Sequence, residues 1–169
     1  MATSLTDRLC TRCGLCCDGT LFGDVELHGR AEATRLLALG LPVDDGDAHA
    51  GEADVLPLPC AALRGTCCGV YAHRPSTCRQ FECGLLQRVR RGELTVARAL
   101  GHIVRARAQA DGVRELLAEV EPRPRRLPLR ERCADAQMNR RTDALGLAPA
   151  LAAAMARLER TIARTFLGR

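Results

Sequence analysis

The chain is 169 residues long, the size of one ordinary domain, and 10 of its residues are cysteine. All 25 cationic side chains are arginine, set against 20 Asp and Glu, and the net charge of +5 divides into −4 over residues 1–84 and +9 over residues 85–169. The sequence has no apolar run long enough to span a membrane, and its opening MATSLTDRLC lacks a secretory h-region, so a membrane span is excluded and a cytoplasmic location expected.

The first 20 residues, punctuated by cysteine and glycine, read as loop. Residues 22–27 (FGDVEL) predict a short strand broken by Gly29, and residues 30–39 (RAEATRLLAL) a helix stopped by Gly40 and Pro42. The small, acidic stretch 44–54 predicts an exposed loop. Residues 55–58 predict a second short strand, suited to pair with the first. From Gly84 onward the pattern turns helical, and Thr95 is a suitable N-cap for a helix reaching about residue 121. Within it Ala99, Ile103, Ala106, Ala110, Val113, Leu117 and Val120 recur at alternating steps of four and three. Such a seam suits lengthwise packing on another helix. Pro122, Pro124 and Pro128 end the helix. A short helix over 130–143 follows, then a last one over 149–166 whose Leu151, Met155, Leu158 and Ile162 repeat the seam. Two seams suit a dimerising coiled coil or a hairpin within one chain, and a linker able to fold the second helix back favours the hairpin.

The fold expected is therefore mainly α, with a small irregular cysteine-rich region stapled by metal and a short β-hairpin. Two parts are expected: a cysteine-cluster domain over 1–84, and an arginine-rich helical region over 85–169 packed on it. Aromatics are scarce, with Phe22, Tyr71, Phe81 and Phe166 the whole set. A cysteine-rich half with so few large apolar groups needs a covalent or metal staple. In a reducing compartment dense cysteines read as metal ligands before they read as disulfides.

Nine of the ten cysteines fall between Cys10 and Cys83. The first group is Cys10, Cys13, Cys16 and Cys17, a C-x-x-C-x-x-C-C run. Two residues between cysteines let a tight turn bring both sulfurs to one cation, and Gly14 suits the left-handed position such a turn needs. Zinc takes four thiolates tetrahedrally, and iron–sulfur cubanes use the same spacing with a fourth ligand from elsewhere. Cys16 and Cys17 are adjacent, so they serve two metals or one of them bridges. The second group is Cys60, Cys67, Cys68, Cys78 and Cys83. Pro75 restricts Arg74 to extended geometry, which suits a turn presenting Cys78, and Arg79 offsets the charge of a polythiolate site. Any one of these cysteines alone is well explained as a small buried hydrophobe. Nine in one short stretch are not.

The Cys10-x2-Cys13-x2-Cys16-Cys17 run is followed in order by Pro59-Cys60 and by Cys68-x-Val70-Tyr71-x2-Arg74-Pro75-x2-Cys78-Arg79-x-Phe81-x-Cys83. This pattern resembles the YkgJ-type cysteine cluster family, whose domain is described as chelating zinc or iron. The resemblance covers roughly residues 10–83. It implies eight ligands: Cys10, Cys13, Cys16, Cys17, Cys60, Cys68, Cys78 and Cys83. Cys67 and Cys133 lie outside it. Flagellin lysine methylases carry a similar cluster and are associated with iron–sulfur chemistry, although this chain is short for them.

Other chemistry is sparse. Of His28, His49, His73 and His102, only His73 lies inside the cluster segment, where a surface turn is the plainer reading, and the others read as exposed. There is no phosphate-binding glycine loop, zincin motif or nucleophile elbow, and no base is placed to activate a catalytic cysteine. The stretch holding Arg123, Arg125, Arg126, Arg130 and Arg132 reads as a solvated basic linker. It has no interleaved aromatic for base stacking, which disfavours nucleic acid. Three function classes result: a protein that holds zinc or an iron centre, with metal ions as its partners; an iron- or iron–sulfur-dependent enzyme, oxidoreductase or protein-modifying; and a zinc-stapled adaptor for a protein or nucleic acid.

Overall fold

A computed structural model describes residues 4–46, 52–121 and 126–168. The fold is mainly helical, as expected, with two two-stranded antiparallel sheets where one short strand pair was expected. The first helix, α1 (Leu5–Cys13), is a correction, because those residues read as loop. Its signal was a capping box: Ser4 accepts from the Asp7 amide at 3.1 Å while the Asp7 carboxylate accepts from the Ser4 amide at 3.3 Å. The helix ends at Gly14, whose φ of 70° is the left-handed geometry glycine adopts freely. A Cβ there would also stand 3.2 Å from the Thr66 backbone.

Strand β1 (Asp24–Glu26) pairs antiparallel with β2 (Val55–Pro57), setting Val25 opposite Leu56. Between them, α2 (Arg30–Ala38) closes a small core of Leu27, Ala33, Leu36, Leu41, Leu56 and Ala62. The loop expected over 44–54 lies partly outside the described residues. Its described ends are tied down, with Asp44 bridged to Val55 and Asp54 buried. A second hairpin joins β3 (Leu63–Arg64) to β4 (Cys67–Cys68), and a single 3-10 turn, Tyr71–His73, leads into α3 (Ser76–Gln80) and α4 (Gly84–Arg90).

Helix α5 (Val96–Val120) is capped by Thr95, which accepts from the Arg98 amide at 3.3 Å. All seven seam residues are buried. The first three, Ala99, Ile103 and Ala106, share a core with Leu9 and Leu15 of the cysteine-rich part, with Leu85 and Leu86 of α4, and with Phe166. The last four, Ala110, Val113, Leu117 and Val120, pack with α6 (Leu129–Gln137) and α8 (Ala148–Ile162). The second seam therefore folds back on the first within one chain: Leu151, Met155, Leu158 and Ile162 are all buried in that core.

The helix expected over 130–143 is two helices, α6 and α7 (Arg140–Ala144). Asn139 breaks them by accepting from the Arg141 amide at 2.9 Å, a cap that competes with a continuous helix. Pro149 stands in the first turn of α8, and the chain leaves that helix through a π-helical turn, Ala163–Leu167, that buries Phe166. The basic stretch also differs from a solvated linker. Arg123 and Arg125 lie outside the described residues, whereas Arg130 and Arg132 are on α6 and pair with Glu159 at 2.8 Å and Glu121 at 2.7 Å. Among the described residues no helix is long and apolar enough to cross a membrane.

Leu117→Ala removes a fully buried side chain where α5, α6 and α8 meet, and is expected to cost about 2–5 kcal/mol. Val104→Ala, at a position 68% exposed on the same helix, is expected to stay within about 0.5 kcal/mol of the parent. Equilibrium urea unfolding measures both.

Candidate metal centre

Helix α1 sets Cys10 and Cys13 three residues apart, on one side of its last turns. The chain then turns tightly. The amides of Cys17 and Asp18 both donate to the Gly14 carbonyl, at 2.9 and 3.0 Å, while Leu15 is fully buried as the anchor of the turn. Cys16 and Cys17 emerge side by side from it. The second group is brought to the first by backbone contacts. The Cys60 amide donates to the Cys17 carbonyl at 2.8 Å, and the Thr66 hydroxyl donates to the Thr11 carbonyl. Pairing of Leu63 with Cys68 carries Cys68 back toward Cys60, whose carbonyl accepts from the Leu63 amide at 3.0 Å. Arg74 is extended ahead of Pro75, as its sequence position requires, and α3 then presents Cys78.

The thiols fall into two neighbourhoods. Burial pushes Cys13 up to about 12, and the charges of Cys83 and Cys10 add to the rise. Burial likewise raises Cys10, with Cys83 the next contribution, and raises Cys16 strongly, with Cys13, Cys17, Cys83 and Cys10 behind it. Cys13 and Cys83 both pack against the core that holds Leu9, Leu15 and Leu85. Cys83 precedes α4; burial raises its thiol, while the amides of Leu86 and Leu85 oppose the rise although no capping hydrogen bond is formed.

In the other neighbourhood, burial and then the charges of Cys78, Cys60 and Cys68 push Cys17 up to about 12. Burial and then Cys60 and Cys68 push Cys78 to about 11. Cys60 is raised by burial foremost, its rise moderated by the Ala62 amide. Among the described residues no three or more Cys, His, Asp or Glu side chains are grouped so as to hold a metal ion. The donor chemistry fits a thiophilic cation: buried thiols repel one another as thiolates, and a cation between them removes the repulsion.

The two remaining cysteines stand apart. Cys67 is exposed and its thiol donates to the Thr11 carbonyl at 3.6 Å. Cys133 is buried in the α5–α6–α8 core, where burial pushes it to about 11. His73 and His28 are exposed and His102 is half-buried, a departure from its exposed reading; His49 lies outside the described residues.

Several supporting contacts were not read from the sequence, although Tyr71 and Arg74 stood in its cysteine pattern. Buried Glu32 of α2 accepts from the Ser76 amide at 2.9 Å, the Ser76 hydroxyl at 2.6 Å and the His28 amide at 3.0 Å, tying the start of α3 to the first hairpin. Tyr71 donates to Asp7 of α1, and the Arg74 guanidinium lies 3.6 Å from the centre of the Tyr71 ring. From α5, Arg107 donates to the Cys13 carbonyl at 2.8 Å, and Arg114 donates to the Asp18 carboxylate at 2.9 Å and the Thr20 hydroxyl at 3.0 Å. The available signal was the seven-residue interval between the two arginines, two turns along one helix face.

Cysteines from two separated stretches of chain are thus brought to one region of the fold. Residues 9–92 match the family model CxxCxxCC, described as "Putative zinc- or iron-chelating domain". No match was found among curated proteins or among solved structures.

Burial raises the pKa of Glu32, but the hydrogen bonds from Ser76 and His28 outweigh it and hold the carboxyl at about 2, below its ordinary 4.5. Its contribution to stability is thus present above pH 4.5 and lost as pH falls toward 2. Glu32→Gln is expected to cost about 1–3 kcal/mol at neutral pH. It should also flatten this part of the acid limb of an unfolding curve recorded against pH.

Proposed function

We propose that this chain holds two metal centres, one in a set of Cys10, Cys13, Cys16 and Cys83 and the other in a set of Cys17, Cys60, Cys68 and Cys78. Its role on this reading is metal-holding or structural, performed in the cytoplasm by a domain over residues 1–84 with the helical residues 85–169 packed on it. The carrying observation is the sorting of eight thiols around one backbone junction. Cys13 and Cys83 lie on one core, while Cys60 is hydrogen-bonded to Cys17 and linked through the second hairpin to Cys68. Most of the charges that raise the thiols act within one set or the other, with Cys17 also acting on Cys16 across them. On this reading Cys16 and Cys17, adjacent in the chain, serve different sets.

Iron–sulfur clusters are the second reading, and the ligand partition favours them over any other alternative. Three cysteines of a C-x-x-C-x-x-C run with a remote fourth, and the next cysteine of the run given to a neighbouring site, is the arrangement two-cluster ferredoxins use. An iron–sulfur enzyme would add a substrate groove to that arrangement. The adaptor reading is weaker, because Arg114, Arg130 and Arg132 of the basic half are engaged by carboxylates of the same chain.

Anaerobic purification followed by elemental analysis is expected to give two zinc ions per chain and no colour, or a brown protein with iron and sulfide in matching amounts. Cys13→Ser and Cys83→Ser are expected to lose one centre, and Cys60→Ser and Cys78→Ser the other. Cys67→Ser and Cys133→Ser should retain both. Equal loss in Cys133→Ser and Cys13→Ser would defeat the partition.

Protons supply a further check. The raised thiols are protonated in the metal-free chain at neutral pH, so zinc binding should release about four protons per ion. The metal should accordingly be lost as pH falls. Calorimetry in buffers of different ionisation enthalpy counts the protons, and release of fewer than about two per ion would contradict four-thiolate sites.

A further inference from the structure

We infer that Arg107 and Arg114 of α5 are positioning residues for the metal centres, so that the helical half completes a site whose thiols all come from the other half. This inference rests on the metal-holding reading above. It concerns residues beyond the matched segment, which ends at residue 92.

The two guanidinium groups hold the two ends of segment 13–18, which carries Cys13, Cys16 and Cys17. At one end Arg107, half-buried, donates from Nη1 to the Cys13 carbonyl at 2.8 Å. That carbonyl lies in the last turn of α1, where helix carbonyls lack intrahelical partners and a cation is favourably placed. At the other end Arg114 uses both arms of its fork. Nη2 donates to Asp18 Oδ2 at 2.9 Å and to Thr20 Oγ1 at 3.0 Å, and Nη1 to Asp111 Oδ1 at 2.9 Å. The Asp18 side chain is 16% exposed and its second oxygen accepts from the Thr20 amide at 3.0 Å, so the carboxylate is fixed from two directions.

Both arginines are aligned because Ile103, Ala106, Ala110 and Val113 bury the neighbouring stripe of α5. Leu15, between the two anchored ends, is locked in the same core as Ile103 and Ala106. The turn that sends Cys16 and Cys17 to different neighbourhoods is thus set by α5. Electrostatics act in the same direction. A divalent ion with four thiolates carries net negative charge, and a guanidinium beside the Cys13 carbonyl offsets part of it.

Cobalt(II) is the probe, titrated anaerobically into the reduced full-length chain, with charge-transfer absorption and chelator competition as readouts. The wild-type chain is expected to take two equivalents. Arg107→Gln and Arg114→Gln are expected to bind roughly 10–100-fold more weakly, with an altered ligand-field spectrum. Arg130→Gln, which removes an α6 ion pair with Glu159, should keep wild-type affinity.

The lysine variants separate positioning from general destabilisation. Arg107→Lys should restore most of the affinity, because one donor to one carbonyl suffices. Arg114→Lys should not, because a single ammonium cannot replace a fork spanning Asp111, Asp18 and Thr20. Should a glutamine variant fail to fold, Arg107→Lys and Asp18→Asn carry the comparison. Wild-type affinity and spectrum in both arginine variants would overturn the inference while leaving the metal-holding reading intact. A loss in Arg130→Gln equal to theirs would overturn it too. Failure of the wild-type chain to bind cobalt would instead defeat the metal-holding reading, and the inference with it.

Discussion

One stripe of α5 underlies the whole arrangement. Its seven buried residues are divided between two cores, three facing α1, α4 and Phe166 and four facing α6 and α8. A helix engaged in this way transmits position along its length, because its internal hydrogen bonds leave it little freedom to bend. The cysteine-rich stretch offers no comparable stiff element: α1 and α2 are nine residues each, and its strands are two or three residues long. Such short pieces do not hold their shape alone in water. They hold it here because Leu9 and Leu15 are inserted into the core that α5 creates.

Against that support stands a cost. Eight thiols are gathered where burial and mutual repulsion keep several of them protonated well above neutral pH. A disulfide would relieve the crowding by consuming ligands; a cation relieves it while using them. The backbone amides near Cys60 and Cys83 already lean toward the thiolate form. On the metal-holding reading, metal binding and deprotonation are one event whose free energy adds to the folding free energy of the segment.

The third core, around Leu27, Leu36 and Leu56, shows a different solution to the same shortage. It is small and is tied to the thiol region by polar contacts, with Glu32 accepting three hydrogen bonds that join α2, the end of the first hairpin and the start of α3. A buried carboxylate so completely partnered costs little and specifies position well, because each lost bond would leave an unsatisfied buried charge. Asp18 plays a similar part under Arg114. Position near the thiols is thus set by directional bonds, and the apolar seams supply the bulk of the cohesion.

Much of the architecture was legible in the chain as written. The α5 seam, its Thr95 cap, the strand pair around Val25 and Leu56, and the left-handed Gly14 follow from local rules: periodicity, capping chemistry and backbone sterics act between near neighbours. The C-x-x-C spacing likewise announces metal chemistry, since two intervening residues fix how closely two sulfurs can approach. What local rules miss is equally specific. α1 was hidden because cysteines dominate its composition, although Ser4 and Asp7 spell out its cap. The split at Asn139 depended on a side chain competing with the helix. Which thiols become neighbours, and that Arg107 and Arg114 grip the turn between them, are decided by contacts between distant residues, as in the 94 positions between Arg107 and Cys13. Spacing along a chain constrains reach over a few residues. Only the packed seams determine which distant stretches meet, because that choice is made by burial of the whole core and not by any one segment.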